Sequence, residues 1–168
     1  GEWYHILYNN VYGIRATSLR LTNTFGPRHQ MKHPRQGIIN WFIRQLLDEQ
    51  TIRIYGDGSQ LRDTNYVDDV VEAMLLAMAS DVTNGEVYNV GGTPLSLKDL
   101  VELMISVYGK GTYALIPYPS ESQKIEIGNY IADYRKLQQA VGWMPRTAIE
   151  DGLHKTFDYY LKNKQYYW

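Results

Sequence analysis

At 168 residues the chain suits one domain or one lobe of a larger enzyme, and 44% hydrophobic content is too much for a disordered chain. A net charge of −1 gives no general attraction to nucleic acid or to an anionic membrane, so any anion site must be built locally. The absence of cysteine excludes a disulfide framework and a thiolate zinc site, and no apolar run approaches the roughly 18 residues of a membrane span.

The chain opens on Glu2 to Tyr12, where Trp3, Leu7 and Val11 recur at a spacing of four, as do Tyr4, Tyr8 and Tyr12. This spacing predicts a helix, with Gly13 at its C-terminal cap. It has no N-cap signal. A helix already under way at residue 2 reads as a piece of a longer chain, or as a short frayed helix after a tag. Residues 14–25 are rich in β-formers and stop at Gly26-Pro27, which predicts a strand. Residues 28–37 form a basic loop. Ile39, Phe42, Ile43, Leu46 and Leu47 then fall on one helical face.

Thr51 to Gly56 alternates as a strand, Asp57-Gly58 is a hairpin-turn signal, and Ser59 to Val67 reads as the return strand. Asp69 and Glu72 have the spacing of a capping box, with Val71, Met74, Leu75 and Met78 expected as the buried stripe of the helix. Glu86 to Val90 is a short strand ending at Gly91-Gly92. Ser96 and Asp99 suggest a second capping box, opening a helix that buries Leu97, Leu100, Val101, Met104 and Tyr108 and ends near Gly109. Tyr113 to Tyr118 reads as a strand, and Asp133 caps a short helix to about Val141. Residues 149–163 form a last helix with Leu153, Phe157, Tyr160 and Leu161 inward. Strands and helices mix throughout, so the class is α/β with an inserted hairpin.

The return strand carries the sharpest chemistry. Alternation puts Gln60, Arg62, Thr64 and Tyr66 on one face: a guanidinium fork, an amide, a hydroxyl and a phenol. That row suits a phosphate and a sugar. A solvated face with Arg62 paired to a carboxylate fits the spacing equally well. Asn23 ends the first strand, where ligands of doubly wound sheets sit, and it also suits an Asx-type turn. Arg28, Lys32 and Arg35, with His29 and His33, make either an anion-attracting loop or a solvated one. Pro34 argues against a helical histidine pair, so no metal is expected. No Gly-x-Gly-x-x-Gly cradle for a dinucleotide is present, and no nucleophile elbow. Most of the 15 tyrosines are expected in the core and its rim.

Leu19-Arg20-Leu21-Thr22-Asn23-Thr24-Phe25-Gly26-Pro27, the run from Ile54 to Val70, Tyr88-Asn89-Val90-Gly91-Gly92 and Gly142-Trp143-Met144-Pro145 follow one another in the order of a known family. Together they resemble the extended short-chain dehydrogenases/reductases, in particular nucleotide-sugar 4-epimerases of the UDP-glucose 4-epimerase type. The resemblance covers essentially the whole chain. It implies the last strands of a Rossmann-type sheet plus a small α/β substrate-binding lobe. Residues 1–168 would then be a C-terminal substrate-binding portion without the N-terminal dinucleotide-binding part. In that family NAD takes and returns a hydride at the sugar, and a Tyr-x-x-x-Lys helix carries the chemistry. Gly1 would fall just after that Lys, leaving this chain no catalytic residue.

By the same resemblance Asn23 would contact the substrate diphosphate and Arg62 its phosphate. Lys124 and Glu126 would serve phosphate and ribose, and the backbone at Leu21 and Thr22 would approach the nicotinamide. The family often has an Arg in the segment matching Gln123 to Glu126. This chain has none, so a plain surface pair is an equal reading there. Tyr160 and Lys164 repeat the Tyr-x-x-x-Lys spacing on the last helix and are read as packing and a tail charge. The expected function is the UDP-sugar-binding portion of a cytoplasmic NAD-dependent epimerase, inactive by itself and free of nucleic-acid or membrane partners. A 4,6-dehydratase or decarboxylase portion and a non-catalytic module remain the alternatives. Apolar surface left uncovered by an absent half would favour self-association, for example as a homodimer.

Overall fold

The computed structural model describes residues 1–33, 37–124 and 126–168. Helix α1 (Glu2–Tyr12) ends as expected at Gly13, whose φ of 67° is the left-handed conformation that a side chain disfavours. The single strand expected over 14–25 is two, β1 (Ser18–Leu21) and β2 (Asn23–Phe25), broken at Thr22. The break has a topological cause. β1 pairs in parallel with β5 (Val87–Val90), while β2 pairs in parallel with β4 (Leu61–Tyr66), which pairs antiparallel with β6 (Thr93–Ser96). The adjacent strands β1 and β5 therefore part, and β4 enters between their continuations. Gly91-Gly92 is the matching break between β5 and β6. A Cβ on Gly92 would lie 1.9 Å from the Thr64 carbonyl oxygen, so only a bare backbone lets β4 pass.

The expected hairpin is not formed. β3 (Ile52–Tyr55) pairs in parallel with β7 (Tyr113–Ile116), in a different sheet from β4. The turn itself is present: Gly56 and Gly58 have φ of 71° and 75°, and the Asp57 carboxylate accepts from the Ser59 N–H and hydroxyl. The chain beyond it is drawn to helix α4 (Leu97–Tyr108) instead of back along β3. Lys98 N–H donates to the Gly58 carbonyl and Leu97 N–H to that of Gln60. Ser96 caps α4, accepting from Asp99 N–H at 3.0 Å.

Helix α2 (Ile38–Leu47), α4 and α7 (Ile149–Asn163) enclose the main core with Phe25, Ile52, Ile54 and Tyr66. A smaller core joins α3 (Val67–Ala79) and α6 (Arg135–Val141) to β5 through Val70, Ala73, Tyr88, Val90, Leu137 and Trp143. Helix α5 (Ser120–Gln123) is a single turn.

Four further expectations are corrected. In α3 the buried face is Asp69, Val70, Ala73 and Ala77, while Val71, Met74, Leu75 and Met78 are exposed. The small residues let the helix approach the sheet closely, and both faces satisfy a helical period. Asp69 does not cap α3. It lies inside the first turn and anchors a distant loop, accepting from Thr147 N–H at 3.0 Å, Thr147 hydroxyl at 3.1 Å and Arg146 N–H at 3.3 Å. Leu161 points outward and is 58% exposed. Tyr160 is core, as expected, but Lys164 is no loose tail charge: it donates to Asp48 at 2.5 Å.

Candidate functional site

Two hollows have comparable size. One of about 460 Å³ lies between β1 and α3; its wall includes Thr17, Leu19, Met74 and Met78, and its one cation, Arg15, is paired with Asp81. The other, of about 440 Å³, gathers polar chemistry and aromatic walls. α2 contributes Trp41 and Phe42, β3 contributes Arg53 and Tyr55, and Gln60, Arg62, Tyr118 and Glu126 complete the wall. Two guanidiniums and one carboxylate make this second hollow the anion-compatible one.

Arg62 is placed by pairing on both sides of β4. Leu95 of β6 lies opposite it, and Tyr130 bridges to it from the other edge. The Leu61 N–H donates to Asn129, and the Leu61 carbonyl accepts from Tyr130 N–H, so residues 126–130 are tied to the strand. That brings Glu126 to the guanidinium: Nη2 donates to Glu126 Oε1 at 2.6 Å, with the two side chains 13% and 27% exposed. Nη1 donates to the carbonyls of Gly128 at 2.5 Å and Leu61 at 2.9 Å. Glu126 also accepts from Gly128 N–H at 3.0 Å and the Tyr118 hydroxyl at 3.3 Å, and Gln60 donates to that hydroxyl at 2.9 Å. Burial alone would raise the Glu126 carboxyl, but the bond and charge of Arg62 outweigh it and hold it below the usual carboxylate value. Burial and the Glu126 charge push the Tyr118 phenol up.

The expected four-residue row divides. Gln60 and Arg62 line the cavity, whereas the Thr64 hydroxyl donates to the Thr93 carbonyl and Tyr66 is core, edge-on to Phe25 at 5.6 Å. Asn23 sits beside Thr64 in the parallel register, so it shares a sheet face with Thr64 and with Arg62 two residues earlier. Its amide donates to the Asp63 carbonyl at 3.2 Å instead of forming an Asx turn, and it is not part of the cavity wall. Arg62 thus has both a carboxylate partner and a place in a cavity.

Lys124 is exposed in the turn after α5, outside the wall. Leu21 and Thr22 lie at the break between β1 and β2, the Thr22 hydroxyl donating to the Val90 carbonyl at 3.3 Å. In the basic loop the His29 N–H donates to the Tyr160 hydroxyl, and Arg35 lies outside the described residues. Tyr55 and Tyr118, 5.6 Å apart between ring centroids, escaped the sequence reading. Tyr55 carried a usable signal, an aromatic on the outward phase of β3.

Gly91-Gly92 does not fit the pyrophosphate of a dinucleotide. Gly91 and Gly92 are filled by their own neighbours, the Ala132 and Thr64 carbonyls, with no open cradle for a pyrophosphate. Among the described residues no three His, Asp or Glu side chains form a metal set, and no helix is long and apolar enough to cross a membrane.

Residues 1–91 match the model of the NAD dependent epimerase/dehydratase family. A putative UDP-glucose 4-epimerase of Methanocaldococcus jannaschii is 32% identical over 166 residues, covering 98% of this chain and 52% of the relative. The crystal structure of UDP-glucose 4-epimerase from Thermotoga maritima, with UDP-glucose, superposes with a TM-score of 0.83 at 33% identity, covering 97% of this chain and 51% of that one. The UDP-glucuronic acid 4-epimerase of Bacillus cereus, in complex with UDP-glucuronic acid and NAD, gives a TM-score of 0.81 at 27% identity, covering 96% and 50%. The chain spans about half the length of these relatives.

Proposed function

The chain belongs to the NAD dependent epimerase/dehydratase family, and from that premise we propose that it is the C-terminal, nucleotide-sugar-binding portion of a UDP-sugar 4-epimerase. The observation that carries this reading is the Arg62, Glu126, Tyr118 and Gln60 network in a cavity walled by Trp41 and Tyr55. A guanidinium fork suits a diphosphate, a carboxylate suits sugar hydroxyls, and aromatic faces suit a base. Asn23, on the same sheet face as Arg62 but outside the cavity wall, is proposed as a second donor for the diphosphate, and the exposed Lys124 as a further charge for the phosphate. Structures in the family contain UDP-sugars and NAD, which supports both as ligands of the whole enzyme.

Bound NAD would supply a reversible hydride acceptor at the sugar. Leu21 and Thr22, at the carboxyl end of β1, are the positions of this chain nearest to such a role. The Tyr-x-x-x-Lys pair at Tyr160 and Lys164 offers no substitute catalyst. Tyr160 is buried against Gly26 and His29, and Lys164 is held by Asp48. The chain alone is therefore expected to bind UDP-glucose and not to turn it over. Incubating the purified chain with NAD and UDP-glucose tests this; formation of UDP-galactose without a partner would contradict it.

A second reading, a module held together by self-association, draws on α1. That helix ties its polar residues inward, Glu2 to Arg20 and His5 to Ser18, and leaves Trp3, Leu7 and Val11 exposed.

A further inference from the structure

The part of the cavity wall that α2 supplies is held by contacts outside the cavity. Trp41 and Gln45, four apart on α2, both line it, and the Arg44 guanidinium lies 5.3 Å from the Trp41 ring centroid. Arg44 Nη1 donates to the Met31 carbonyl, and Nε donates to Asp48 Oδ2 at 3.3 Å. A guanidinium beside a carboxylate favours a two-bond fork. Here Asp48 Oδ1 is already taken: Lys164 donates to it at 2.5 Å and the Trp168 indole at 2.9 Å. The 3-10 turn Lys164–Tyr166 brings both donors to Asp48, with the Trp168 N–H folded back on the Lys164 carbonyl at 3.2 Å. The Trp168 ring then lies 5.3 Å from the guanidinium, as Trp41 does. Arg44 is thereby kept at the two rings instead of closing over the carboxylate.

We propose that Lys164 and Trp168 are positioning residues for the cavity: by occupying Asp48 they hold Arg44 against Trp41, and so fix the aromatic wall on which the base of a ligand lies. This rests on the reading of the cavity as a nucleotide-sugar site. Neither residue is part of the wall, so any effect on binding must pass through Arg44 and Trp41.

The test is calorimetric titration of UDP into the full chain at neutral pH. The proteins are the wild type, Trp168→Leu, Lys164→Met, Lys164→Arg, Trp41→Ala and Trp41→Ala combined with each of the first two substitutions. Trp168→Leu is expected to weaken UDP roughly fivefold, the scale of one cation–π contact, and Lys164→Met about threefold. Lys164→Arg keeps a donor for Asp48 and is expected to bind within about twofold of the wild type. General loosening of the fold weakens UDP whatever stands at position 41, whereas positioning acts only through the Trp41 ring. In the Trp41→Ala background both substitutions are therefore expected to change affinity by less than about twofold. An equal loss in both backgrounds overturns the proposal. Lys164 is 42% exposed, so its variants carry the test if Trp168→Leu does not fold. If UDP fails to bind the wild type, or binds Trp41→Ala equally well, the nucleotide reading of this wall is wrong and the assignment falls with it. If Trp41→Ala weakens UDP while Trp168→Leu and Lys164→Met bind as the wild type does, the positioning assignment alone is wrong.

Discussion

Gly92 packs its bare backbone against Thr64 and Asn65 of β4. Its φ is not the constraint; a methyl group would sit on the Thr64 carbonyl oxygen. Gly92→Ala is expected to destabilise the fold by about 2 kcal/mol or more, because backbone on both sides must move. Chemical denaturation measures this, and a loss below about 0.5 kcal/mol, the scale of a surface substitution, would contradict it. Gly91-Gly92 was visible in the sequence as a strand end, but not its reason, which lies in a strand nearly thirty positions away. Arg62 was legible because alternation assigns a face. Its pairing with Glu126 was not, since the contact depends on how residues 126–130 lie along β4. Tyr118 was hidden for the same cause.

The helices were the readable elements, because capping and helical period are local signals. α7 spans the expected residues, and α4 has the expected Ser96 cap. Pairing was not readable: a turn signal at Asp57-Gly58 says that the chain reverses, not that its flanks bond to each other. The end of α2 illustrates a contact no local pattern reveals. Asp48 accepts from Lys164 at 2.5 Å and the Trp168 indole at 2.9 Å, and Arg44 lies 5.3 Å from the ring centroids of both Trp41 and Trp168. Burial would raise the Asp48 carboxyl, but the bonds from Lys164, Trp168 and Arg44 outweigh it and hold it low. The folded value lies below the unfolded one. The stabilisation is therefore complete above the ordinary carboxylate value of about 4 and is lost as the pH falls through the folded value. Asp48→Asn is expected to lower stability at pH 7 by about 1–3 kcal/mol and to flatten the acid limb of the stability profile. Identical acid limbs for the two proteins in denaturant melts would contradict this role.

At the scale of the molecule, α1 exposes Trp3, Leu7 and Val11, and α3 exposes Met74, Leu75 and Met78. Met74 and Met78 fit a helical period as well as the buried face does, and a helical period does not say which of two faces the chain covers. These faces predict self-association that rises with concentration. Leu7→Glu with Met78→Glu is expected to shift sedimentation toward monomer while costing less than about 1 kcal/mol of stability, because both side chains are already exposed. Association unaffected by the pair would place the contact elsewhere. The proposed function requires the cavity between β3, β4 and α2 to hold a nucleotide through Arg62. Titrating UDP-glucose into the wild type and Arg62→Ala by calorimetry tests this most directly. A dissociation constant of about 1 mM or tighter, weakened at least about tenfold by Arg62→Ala, is the predicted result; equal affinities would contradict it.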